Sequence, residues 1–392
     1  MTPPRFLGHS LSSHPAMLSA LDLDIRPAHG LGIFLLGSSL WSVLDLLRTH
    51  QHTFPHVDVK YDPDSPTTPV LLHLRPHLDL LFSGHQQRLH TIAVRRLRDP
   101  NFPLTLRYKD RVLSDPDTEL RRVGVNLAFG PTYPGNDLRY PGVSFSFQDE
   151  ALPDSSPQQA EDRMQQVKRV LISQTGFDGG VRDALAEVDD CQAMHGDVSE
   201  AIAKVHDGVL LRFYPKETEP VRIRLGVTTA QDLLCELGPP LRTFYKEDDR
   251  MSIHSRNPSE EEPAEPSYFY NYFQYGLDFL ISDVTHIVKK IIIHTNVPGS
   301  ALFQRYKRCP WQIEGRPEDD EDDSPPRVKF YDRVDTISHF LRPGETPPSM
   351  LFDRTDEEEA LTLPSPTTRL VGFDGIVLEA TQSAQVVSVT LF

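Results

Sequence analysis

Four times along this chain a short amphipathic helix signal precedes a glycine-marked strand of alternating residues. A second strand then closes on the pattern apolar-x-x-apolar-x-apolar. The third copy is the clearest. Ala230, Leu233, Leu234 and Leu237 form a helical stripe, Gly276-Leu-Asp-Phe-Leu-Ile281 alternates, and Val288, Ile291 and Ile293 close the unit. In the first copy Leu40, Val43, Leu44 and Leu47 make the stripe. Strands follow over Val57–Tyr61, Val70–Leu74 and Leu78–Phe82, with closure at Leu89, Ile92 and Val94. The second copy has its stripe at Leu120, Val123 and Leu127, then Gly142 with Val143, Phe145 and Phe147, then Val167, Val170 and Ile172. The fourth uses Val334, Ile337 and Leu341, then Gly375 with Ile376, Leu378 and Ala380, and ends on Val386, Val389 and Leu391.

This pattern predicts an α+β protein of two globular halves. Each half holds two helix-plus-antiparallel-meander units, with the helices packed on one face of mostly antiparallel sheets. The expected boundaries are a flexible tail over 1–20, an N-terminal domain over 21–176, a divergent connection over 177–206 and a C-terminal domain over 207–392. A polar insertion is expected over 148–161. Disordered acidic or proline-rich loops are expected near 255–266, 315–326 and 354–368, the second carrying Glu318-Asp-Asp-Glu-Asp-Asp323. Thr229 and Asp232 form a capping-box signal, and Gly238-Pro239 stops the third helix.

A formal charge of -16 argues against nonspecific binding to nucleic acid or anionic lipid, since both repel an acidic surface. Three scattered cysteines, Cys191, Cys235 and Cys309, fit a reducing compartment and a cytosolic location. The apolar stretch Leu31–Leu47 is interrupted by serines and Asp45 and falls short of a membrane span.

The sequence has no phosphate-cradling P-loop, dinucleotide glycine motif, H-E-x-x-H, G-x-S-x-G or paired C-x-x-C. Histidines cluster at His50 and His52, His73 and His77, and His85 and His90. They lack the further ligands of a zinc site and read as surface residues. His254, His286 and His294 form a second loose group near the acidic run Glu247–Asp249 and read as polar loop. Cys235 reads as a small apolar side chain on a buried helix face. No catalytic, cofactor-binding or metal-ligating residue is assigned.

Two features remain. The run Tyr268-Phe-Tyr-Asn-Tyr-Phe-Gln-Tyr275 carries more rings than one sheet face can bury. It divides either between core and solvent or between core and a protein interface. Lys289, Lys290, Lys307 and Arg308 form the nearest thing to a basic patch, either a solvated sheet face or a contact for phosphoinositide headgroups.

Three segments closely resemble the phagosome assembly factor family. They are Leu237-Gly-Pro-Pro-Leu-Arg-Thr-Phe-Tyr-Lys-Glu-Asp-Asp-Arg-Met-Ser-Ile-His254, Tyr268–Leu280, and Val288-Lys-Lys-Ile-Ile-Ile-His-Thr-Asn-Val-Pro-Gly299. Weaker resemblance runs through Leu78–Val94, Pro141–Phe147 and Val389–Leu391. The resemblance implies a cytosolic, non-enzymatic autophagy protein recruited to the forming phagophore with a WD-repeat β-propeller partner, and phosphoinositide association through that complex. Within these segments the candidate partner interface is Phe244, Tyr245, Tyr268, Tyr270, Tyr272, Tyr275, Asn296 and Pro298. The alternatives are a Golgi or endosomal trafficking protein that touches phosphoinositides directly, and an enzyme with an unrecognised pocket.

Overall fold

A computed structural model describes residues 21–63, 65–132, 135–147, 163–176, 186–245, 266–315, 325–342, 347–353 and 367–392. The expected tail, the polar insertion, His254, the acidic run at 247–249 and nearly all of the three acidic or proline-rich loops lie outside the described residues. The protein is mixed α and β, with mostly antiparallel sheets and, among the described residues, four α-helices.

Before each helix comes a hairpin that the periodicity did not predict. In the first unit it is made of Leu21–Arg26, Gly30–Leu31 and Phe34–Leu35, before helix α1 (Leu40–Thr49). In the second, Leu104–Tyr108 and Arg111–Ser114 precede α2 (Arg122–Phe129). Val198–Lys204, Gly208–Phe213 and Val221–Arg224 precede α3 (Ala230–Leu237). Trp311–Glu314 and Arg327–Lys329 precede α4 (Val334–Leu341). The stretch 198–204, expected within the divergent connection, is therefore a strand. Its partners explain it: Ala201–Ala203 run parallel to Trp311–Ile313, more than a hundred positions away.

The hairpins join units in sequential pairs. Leu21–Asp24 lie parallel to Leu104–Arg107, so the first and second units share a five-stranded sheet, and the third and fourth share another. The closing strands also pair. Thr91–Val94 run against Val170–Ser173 within a seven-stranded sheet, and Ile291–His294 against Ser388–Leu391 within an eight-stranded one. Apolar burial follows the same division, with one large cluster drawn from residues 23–172 and the other from 198–391.

One contact recurs in all four units. The first helical residue, Leu40, Arg122, Ala230 or Val334, donates its amide to the carbonyl of Gln87, Gln165, His286 or Ala384, just before the closing strand. The N-cap residue bridges the next position: Ser39 to Arg88, Arg121 to Gln166, Thr229 to Ile287, Arg333 to Gln385. Each helix thereby satisfies one of its four orphan amides on its own sheet. Three of the four acceptors, Gln87, His286 and Ala384, hold positive φ angles of 52°, 54° and 63°.

Helix α1 buries Leu40, Val43, Leu44 and Leu47, the predicted stripe. Helix α2 departs from expectation: Val123 and Leu127 are exposed, and Arg122 and Val125 are buried. The Arg122 guanidinium lies 4.1 Å from the Phe147 ring centroid and donates to the carbonyls of Gly135 and Asn136, which makes its burial tolerable. Cys235 is exposed, against expectation, and so is Leu234. Cys235 stands two residues past buried Leu233, about 200° around the helix. His73, His77 and His90 are buried rather than superficial. His73 pairs with Asp79, and His77 holds the carbonyls of Arg96 and Phe102 at 2.7 and 2.8 Å.

Candidate functional site

The strand Arg242–Tyr245 forms one end of the eight-stranded sheet, and among the described residues it pairs on one side only, with Ser267–Tyr272. All four of its residues are exposed. Alternation sends its side chains to two faces. On one, Tyr245 stands against Tyr268, which neighbours Tyr270, with ring centroids 5.6 and 5.4 Å apart. These three rings, the N-terminal part of α3 (Thr229, Ala230, Gln231, Leu234) and the turn of Asp283, Thr285 and His286 line a groove of about 520 Å³.

Local chemistry builds this groove. Thr229 and Asp232 close the predicted capping box, each side chain accepting from the other residue's backbone amide at 3.2 and 2.9 Å. That fixes the start of α3 beside the turn, whose His286 carbonyl receives the Ala230 amide. The Tyr268 hydroxyl lies 3.0 Å from His286 Nδ1, and burial, aided by Tyr270, pushes its pKa up to about 12. The hydroxyl is therefore neutral at physiological pH and acts only as a hydrogen-bonding group.

On the other face, cross-strand partners place Phe244, Phe269, Leu280 and Lys290 in one row. Lys290 continues the row to Phe392, whose ring centroid is 5.6 Å from its Nζ. Phe244 and Tyr245 are 44% and 65% exposed, which is high for rings on a strand edge that no described strand pairs.

The remaining predicted site residues lie elsewhere. Tyr272 is fully buried and donates to the Gly238 carbonyl at 2.9 Å, so it belongs to the core. Tyr275 is half-buried against Phe213. Asn296 and Pro298 are buried and offer no free surface, which corrects their expected interface role. Lys289 and Lys290 remain at the surface, half-buried and exposed respectively. Lys307 and Arg308 are buried between the two halves, so they cannot face lipid.

That junction is polar. Arg308 donates to the carbonyls of Pro66, Gly84 and His85 in the first half and of Thr295 in the second, at 2.7 to 3.0 Å. Burial disfavours its charge, while these acceptors keep the guanidinium ionised. Asp197 receives both Arg88 and Lys307, and burial pushes the Lys307 pKa down to about 8. The side-chain amides of Gln87 and Asn296 complete the junction: Gln87 donates to the Asn296 backbone carbonyl at 3.1 Å, and Asn296 donates to the Gln87 side-chain oxygen at 2.8 Å.

A cleft of about 730 Å³ opens in the first half between the turns at Pro27–His29 and Tyr108–Lys109, and Cys191 lines it. Burial raises the Cys191 thiol pKa, the reverse of what a nucleophile needs.

The sequence-family model described as phagosome assembly factor 1 (PHAF1) matches residues 30–392. The chain belongs to the phagosome assembly factor 1 family. A PHAF1 protein of Arabidopsis thaliana is 26% identical over 404 aligned residues, covering 96% of this chain and 94% of the relative. A PHAF1 protein of Caenorhabditis elegans is 25% identical, covering 92% and 90%. One from Drosophila melanogaster is 24% identical, covering 95% and 94%. No solved structure matches. PHAF1 membership points to a role in phagosome assembly, and the family name is that of an assembly factor rather than an enzyme. No helix among the described residues is long and apolar enough to cross a membrane.

Sequence reasoning found the rings of the groove but missed Gln231, Leu234, Asp283 and His286. The capping box was a local sign of where α3 begins. Which turn it would meet depends on strand register, and the sequence carries no local sign of that.

Proposed function

We propose that this PHAF1-family chain is a non-enzymatic adaptor in autophagy. It moves from the cytoplasm to the forming phagophore and binds a WD-repeat β-propeller partner through the open edge of its eight-stranded sheet. The observation that carries this reading is the exposure of Phe244 and Tyr245 on a strand that, among the described residues, pairs on one side only. Tyrosine and phenylalanine are enriched at interfaces, and an unpaired edge is a ready template for another chain. Phosphoinositide association belongs to the complex, since two of the four cations considered for lipid are buried at the junction.

The test is affinity purification from cells with wild type, Phe244→Ala and Tyr272→Ala, with thermal melts of each. The wild type brings down a WD-repeat protein. Phe244→Ala loses that partner while its melting temperature stays put, since truncation of an exposed ring changes stability by no more than about 0.5 kcal/mol. Tyr272→Ala costs about 3–5 kcal/mol as a core truncation. Wild-type purifications that contain no WD-repeat or autophagy protein refute the adaptor reading.

A further inference from the structure

The first and third units correspond residue by residue. His73 pairs with Asp58 and Asp79, as Asn271 pairs with Arg242 and Asp278. The next strand pair slips register after Leu81 in one unit and after Leu280 in the other. The bridges Ser39 to Arg88 and Thr229 to Ile287 fix the helices to the same frame. On this correspondence Tyr61 stands where Tyr245 does, Trp41 where Gln231 does, Gly84 where Asp283 does, and Gln87 where His286 does.

The first-unit counterpart of the tyrosine groove is filled by a segment of the second half. Phe303 packs edge-on against Tyr61, with centroids 5.4 Å apart. The Trp41 indole donates to the Arg305 carbonyl at 3.0 Å, and Gln87 exchanges amide hydrogen bonds with Asn296. Arg308 donates to the Gly84 and His85 carbonyls at 2.7 and 3.0 Å. One loop, 295–308, thus brings an aromatic side chain and an arginine to the same two ends of the groove.

In the third unit about 520 Å³ of this space is left open by the described residues. We infer that it receives a partner-protein loop shaped like 295–308, with an aromatic or aliphatic side chain against Tyr245 and Tyr270 and an arginine or lysine at the Asp283 turn. Charge complementarity selects the basic residue. Asp283 lines the groove with no lysine or arginine among the described lining residues, and tyrosine faces attract cations. The inference rests on the adaptor reading in placing the partner at this edge, and adds what that partner must carry.

The test is a displayed library of random dodecapeptides, selected on the full chain and measured by fluorescence anisotropy on wild type, Tyr245→Ala and Asp283→Lys. Both substituted residues are exposed, so neither substitution opens a cavity in the core, and a thermal melt of each variant checks that it is folded. Selected peptides should carry arginine or lysine together with an aromatic or aliphatic residue, and should weaken at least tenfold on each variant. Peptides without a basic residue, equal binding by the variants, or no selection at all overturn the inference. A WD-repeat partner retained equally by Asp283→Lys in cells would leave the adaptor reading standing without it. Basic peptides bound at the groove, with no such partner in cells, would do the reverse.

Discussion

Lys307 shows how much a single position costs at the junction. Its ammonium is buried beside Asp197 and Arg88, and burial lowers its pKa from 10.5 to about 8, with Arg88 adding to the effect and Asp197 opposing it. Below pH 8 the group is protonated in both the folded and unfolded chain. Between about 8 and 10.5 only the unfolded chain holds the proton, so this group's contribution to stability rises with pH. Comparison with Lys307→Met isolates it. The stability difference between wild type and variant should move toward the wild type by about 2 kcal/mol from pH 7.5 to pH 10. Parallel denaturation curves at both pH values would refute the depressed pKa.

Glycine turns between the elements differ in whether they have room for a side chain. Gly276 opens the strand Leu277–Ser282 at φ +70°, and a Cβ there would lie 2.2 Å from the Lys307 carbonyl oxygen. Gly238, after α3, has a similar φ of +75° but no atom within 4 Å of an added Cβ. Gly238→Ala should therefore cost only the strain of holding a side chain at φ +75° and ψ −168°, about 1–3 kcal/mol. Gly276→Ala adds a backbone clash and should cost about 2 kcal/mol more. Urea titrations of the two variants check the ordering, and equal costs would show that the turn at Gly276 relaxes. Glycine before the alternating strand was legible in the sequence because only glycine suits both demands. The stripe of α1, three of the four stripe positions of α3 (Ala230, Leu233 and Leu237) and the run at Tyr268 were legible because periods of 3.6 and 2 are local. The hairpins of Leu21–Leu35 and Val198–Arg224 were not. Their strands carry charged residues, and the parallel partners of Leu21–Arg26 and Val198–Lys204 lie far along the chain. Arg122 was missed as a core residue because a guanidinium is expected outside unless ring and carbonyls wait for it.

At the scale of the whole molecule, two apolar clusters meet across a polar junction centred on Arg308. Its role follows from count and geometry: a planar fork reaches carbonyls on both halves, which lysine, a point charge with three donors, cannot reproduce. Arg308→Ala leaves those carbonyls buried without donors, at about 1–3 kcal/mol for each that water cannot reach. Arg308→Lys should recover little of the loss. The first unit also loses the arginine from the loop that fills its groove, so the halves should uncouple before either core melts. Calorimetry should then show one transition for the wild type and two for the variant, the lower one moving as partner contacts across the junction are weakened. One unsplit transition shifted by less than about 1 kcal/mol would mean that the amide pair of Gln87 and Asn296, with Phe303 against Tyr61, suffices to join the halves.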